Sequence, residues 1–93
     1  MKTVYKYPFK PQDRFTIDMP VGASFMHVDV QDGVPCIWAS VETNMSTKPY
    51  RFRLAGTGHS IGAPDLSYLG TFILSDGRLV FHLFSVEDDL PKL

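Results

Sequence analysis

Six consecutive residues, Ala55-Gly56-Thr57-Gly58-His59-Ser60, bring two glycines, two hydroxyls and an imidazole into one short stretch. Glycine lets backbone amides approach an anion, and hydroxyls with an imidazole can complete a cradle for phosphate oxygens. Arg51 and Arg53 lead into the stretch, with Lys48 nearby. At strand spacing the two arginines share one face, about 7 Å apart, and each can hold a phosphate or carboxylate through paired hydrogen bonds. The expectation is an anion site made of Arg51, Arg53, Gly56, Thr57, Gly58, His59 and Ser60. It is not a dinucleotide fingerprint, which needs a third glycine in register and a following helix, nor a Walker loop, which needs a lysine on the phosphate. The competing reading is structural. The glycines would then serve a strand exit whose hydroxyls bond their own backbone, and the arginines a charged solvent face.

Other chemistry has weaker support. His27, His59, His82 and Cys36 show neither H-x-H nor C-x-x-C spacing, so no metal is expected. Cys36 reads as a small core hydrophobe. His82, between Phe81 and Leu83, is either a satisfied, partly buried histidine or part of a binding surface. Asp29, Asp32 and Asp65 are dispersed, and nothing resembles a paired-carboxylate site. No catalytic residue and no cofactor is assigned, and the reading leans away from an enzyme.

The elements that must position these residues are strands. Apolar and polar residues alternate over Thr3–Tyr7, Phe15–Met19, Met26–Gln31 and Tyr50–Leu54, and Val34–Val41 returns as the fourth strand, with Pro35 near its start pointing to an edge position or an irregular entry. In the third strand Met26, Val28 and Val30 are expected on one face, with His27, Asp29 and Gln31 on the other. Apolar runs follow at Leu69–Ser75 and Leu79–Phe84. Asp32-Gly33 and Asp76-Gly77 carry the signal of tight hairpin turns. No stretch of ten residues has helical period, although one helical turn is expected near Pro64–Tyr68, with proline in the first position. The fold class is therefore all-β: one small antiparallel sandwich or partly closed barrel of about seven short strands, meander-like and joined by hairpins. It spans residues 1–86, and residues 87–93 read as a flexible acidic tail.

Composition sets the bounds. Ninety-three residues make one domain, and a chain of this size buries little enough surface that a homo-oligomer is expected. Nine basic against ten acidic residues argue against a nucleic-acid partner. One cysteine forms no intrachain disulfide, and neither a signal peptide nor an apolar run of membrane-spanning length is read, so a cytoplasmic setting is expected.

The opening YKYP (Tyr5–Pro8), the segment His27–Trp38, and the blocks Phe52–His59 and Leu69–Phe84 resemble a family of small uncharacterised proteins from phages and phage-like elements. The resemblance runs over nearly the whole chain. It implies a provenance and no mechanism, since that family carries no established activity, and no site residue transfers from it. Small phage accessory proteins often act by stoichiometric binding. The leading expectation is thus a non-catalytic binding protein that sequesters a small anionic, nucleotide-like ligand. The alternatives are a module inhibiting a host defence protein, through Tyr5, Tyr7, Phe9 and Trp38, and a small virion or assembly component.

Overall fold

The computed structural model describes residues 1–62, 65–75 and 77–93. It has seven strands: β1 (Lys2–Pro8), β2 (Arg14–Pro20), β3 (Ser24–Gln31), β4 (Val34–Glu42), β5 (Thr47–Gly56), β6 (Leu66–Leu74) and β7 (Leu79–Val86). All pair antiparallel, in a three-stranded sheet A of order β1-β4-β3 and a four-stranded sheet B of order β2-β5-β7-β6. The expected sandwich is what forms. The expected helical turn does not: Leu66, Ser67 and Tyr68 lie in β6, and Pro64 falls outside the described residues.

Both local hairpins signalled by Asp-Gly pairs form. Asp32 and Gly33 both take positive φ, 52° and 79°, as a type I′ turn between β3 and β4 requires. Between β6 and β7, Gly77 has φ 88° and the Arg78 amide donates to the Ser75 carbonyl at 3.1 Å; Asp76 lies outside the described residues. The remaining pairings are not a meander. β1 crosses to β4, β2 to β5 and β5 to β7, so the two sheets are interleaved along the chain.

The alternation sends one side of each strand into the gap between the sheets. Ile37, Ala39 and Val41 of β4 meet Tyr50, Phe52 and Leu83 of sheet B, and none is more than 1% exposed. Tyr50 hides its hydroxyl by donating to the Pro20 carbonyl at 2.9 Å and accepting from the Ala23 amide at 3.3 Å. Phe9 stacks on Phe15 and stands edge-on to Phe72, with centroids 4.9 and 5.8 Å apart. Its 8% exposure withdraws it from the aromatic interaction surface expected above. Cys36 is buried, as expected of a small core residue.

Two bulges shift the alternation. The register of β3 slips between Phe25 and His27, which turns Met26 outward to 42% exposure while Val28 stays buried. This corrects the expectation that Met26 shares the Val28 face. β6 slips between Tyr68 and Gly70, so Leu69 and Gly70 both serve the core side.

The last seven residues, expected to fray, are instead docked. The Phe25 amide donates to the Pro91 carbonyl at 2.7 Å and the Leu93 amide to the Phe25 carbonyl at 2.9 Å, so the segment extends the edge of β3 as a short parallel bridge. Leu90 is fully buried, worth about 1.5–3 kcal/mol for a side chain of that size. The acidic residues before it leave the sheet by a turn in which Glu87 and Asp88 both take positive φ.

Gly70 fixes the distance between the sheets at the β3–β6 corner. A Cβ there would lie 2.6 Å from Val28 Cγ1. Gly70→Ala should therefore lower stability by about 1–3 kcal/mol, with much of the loss recovered in Gly70→Ala/Val28→Ala. Urea unfolding of the two variants checks this, and full stability in Gly70→Ala would rule out the close approach.

Candidate functional site

β5 and β6 both pair antiparallel with β7, one on each side, so they run parallel to one another. The nine residues 57–65 that join them must return along β7 and cross it. Gly56 pairs opposite Phe81 and Leu66 opposite Val86, a return of five residues, or about 17 Å, with about 10 Å of sideways travel. At about 3.3–3.6 Å per residue, nine residues reach about 30 Å, enough to cover that distance of about 20 Å and to rise over the side chains on the way.

Because the inner face of sheet B is filled by core side chains, the described residues 57–62 lie over the outer face as a strap, and Arg53 is the residue that holds them. Its side chain, only 12% exposed, donates from Nη1 to the Ile61 carbonyl at 2.8 Å and from Nη2 to the Ser60 carbonyl at 3.3 Å. Its Nε donates to Asp13 at 2.9 Å. Thr57 Oγ1 is 2.8 Å from His82 Nε2 at one end of the strap, and the Asp65 carbonyl accepts from the Glu87 amide at 2.7 Å at the other. The glycines serve the path. The His59 amide donates to the Gly56 carbonyl at 3.0 Å across a turn whose third residue, Gly58, has φ 87°, the pattern of a type II turn. The His59 ring lies against Gly56, where a Cβ would come within 3.0 Å of it.

The seven expected site residues therefore divide. Arg53 meets strap carbonyls rather than amides, so strap and guanidinium do not share an anion at that contact. Arg51 turns the other way: Nε and the backbone amide both donate to Asp89 Oδ2, at 2.9 and 3.1 Å, and Nη2 reaches Asp89 Oδ1 at 3.1 Å and Glu87 at 3.2 Å. Gly56, Thr57 and His59 border a separate hollow with Arg78, Leu79 and Phe81. Gly58 and Ser60 are exposed along the strap.

Arg51 and Arg53 do meet a third arginine. Pairing of Arg14 opposite Arg53 and Thr16 opposite Arg51 puts all four on the outer face of sheet B. Between β2 and the strap this face forms an open groove of about 370 Å³, lined by Arg14, Thr16, Arg51, Arg53, Leu66 and Val86, with Asp65 and Glu87 also on its wall. Arg14 is three-quarters exposed, and among the described residues its guanidinium has one carboxylate within ion-pair reach, Asp13 at 3.8 Å. Sequence reasoning misses it because β2 shows no tie to β5 until the sheet is assembled. Its alternation with Phe15 is the available signal. His82, on the same outer face, has hydroxyls at both ring nitrogens: Thr57 at Nε2, and at Nδ1 Thr71 at 3.0 Å, itself 2.6 Å from the Tyr68 hydroxyl.

Hydrogen bonds from Arg51 hold the Asp89 carboxyl below its ordinary value of 3.8, and the same bonds raise Arg51. A depressed carboxyl stabilises the fold fully above its unfolded pKa and loses that contribution as pH falls through the folded value. Asp89→Asn should thus lower the thermal midpoint at neutral pH and flatten the loss of stability below about pH 4. Parallel acid profiles for both proteins would contradict the pairing. For the strap, Arg53→Ala should speed amide exchange within residues 57–62 by about tenfold or more while leaving β4 unchanged, as hydrogen-exchange mass spectrometry can resolve.

Among the described residues no cluster of three metal-ligating side chains forms, and no helix is long and apolar enough to cross a membrane. No curated protein and no solved structure matches the chain. A family model does, over residues 1–92, and on that match the chain belongs to the domain of unknown function DUF7352.

Proposed function

We propose that this chain is a non-catalytic binding protein of phage-accessory type that holds a small anionic, nucleotide-like ligand in the groove between β2 and the strap. The observation that carries this is the meeting of Arg14, Arg51 and Arg53 with an apolar floor of Leu66 and Val86 in a hollow of about 370 Å³. That volume is within the usual range for small-molecule sites. Arg14 supplies the guanidinium least engaged by its own chain, and Arg51 keeps Nη1 beyond the hydrogen bonds that Nε and Nη2 make to Asp89 and Glu87. Phosphate oxygens would take these donors while a planar base lies over Leu66 and Val86. Arg53 is then the wall that sets the groove's width through the strap.

Titration calorimetry at low salt against nucleoside mono-, di- and triphosphates tests the reading. At least one should bind the wild type, and Arg14→Ala should weaken it by about tenfold or more. Absence of heat with the whole panel, or affinity untouched by Arg14→Ala, would overturn it.

A second reading, a module that occupies a host protein, has one observation in its favour. Tyr5 is 43% exposed on the core-facing side of β1, in edge contact with Tyr7. A partner covering that strand would protect Tyr5 and leave the arginine groove empty.

A further inference from the structure

Four strands end a sheet: β1 and β3 in sheet A, β2 and β6 in sheet B. A free strand edge is a template for another strand, and folded proteins commonly block it with charge, proline, a bulge or a covering segment. Three of the four are blocked. β1 carries Lys2, Lys6 and Pro8; β2 carries Arg14, Asp18 and Pro20; β3 carries His27 and Asp29 and has the Pro91–Leu93 segment bonded at Phe25. β6, LSYLGTFIL, has neither a charge nor a proline. Its bulge and the nearby C-terminal segment, with Lys92 over the Tyr68 ring at 5.4 Å, blunt only its first half. Gly70 to Leu74 remain as a regular length whose pairings, among the described residues, are all to β7.

We propose that this length is a homodimer interface, in which β6 pairs antiparallel with β6 of a second copy and joins the two four-stranded sheets into one of eight. A twofold axis at Phe72 sets Thr71 opposite the partner's Ile73, and Ile73 opposite the partner's Thr71, on the outer face. These are β-branched pairs of the kind that stabilise neighbouring strands. Ile73 is 54% exposed in the single chain, which such pairing would relieve. The same axis turns the exposed Met26 and Leu93 of each copy toward the hollow that Val30, Ile73 and Leu74 line on the other. A second copy suits the edge because it brings no charge against a strand that has none to answer it.

Sedimentation velocity over the micromolar to submillimolar range should give twice the 10.5 kDa chain mass, with slowed amide exchange over Gly70–Leu74. Ile73→Lys should sediment as a folded monomer, whereas Val4→Lys on β1 should stay dimeric. An equimolar mixture of Thr71→Cys and Ile73→Cys chains should form a mixed disulfide on oxidation, which tests the register without relying on the lysine variant. A wild type that is monomeric throughout, a dimer unaffected by Ile73→Lys, or a cysteine mixture that fails to crosslink would each overturn the proposal.

Discussion

The constraint on which the rest depends is that β5 and β6 flank β7 and run the same way. Strands that run the same way cannot be joined by a tight turn, and connections of this kind usually take a dozen or more residues with a helix among them. Here nine residues make the return without one, and the described residues 57–62 lie along the outer face of the sheet under the hold of Arg53. The composition of the strap follows from that. Gly58 and Gly62 take positive φ where the path turns, Thr57 reaches His82, and the carbonyls of Ser60 and Ile61 are satisfied by one half-buried guanidinium. A glycine- and hydroxyl-rich sequence that suggests a phosphate cradle thus also serves the path of the chain.

Charge is arranged just as locally. Arg53 is neutralised by Asp13 from the segment before β2, and Arg51 by Asp89 from the turn after β7. The second pair explains the acidic C-terminal residues. Asp89 ties the turn of Glu87 and Asp88 back to β5, and Leu90 then enters the core. Positive φ at two consecutive non-glycine residues is costly, by an order of 1 kcal/mol each, and persists only where the surroundings enforce it. Arg51 and the bond between Asp88 and Ser67 are that enforcement. A ligand entering the groove meets arginines already facing carboxylates, so it must offer acceptors where Arg14 and the outer nitrogen of Arg51 point.

Strands and hairpin turns are legible in the sequence because period-two alternation and Asp-Gly pairs are local signals. The all-β class and seven strands follow from them. Bulges are not legible, since Met26 continues the apolar alternation and only the register shift between Phe25 and His27 turns it outward. Nor are the pairings of β1 with β4 and β2 with β5, which depend on contacts far apart in the chain. That is why Arg14 does not stand out in the sequence while Arg51 and Arg53 do. The C-terminal residues look solvated when their charges are counted without Arg51, and Leu90 without the space it fills.

A residue-resolved NMR titration with the best-binding nucleotide would test the division between strap and groove most directly. The first and largest shifts should fall at Arg14, Thr16, Arg51, Leu66 and Val86, with the side-chain Nε–H of Arg51 among them. Leading shifts at Gly58 and His59 instead, with the groove silent, would return the ligand to the glycine-rich segment and contradict its role as a strap.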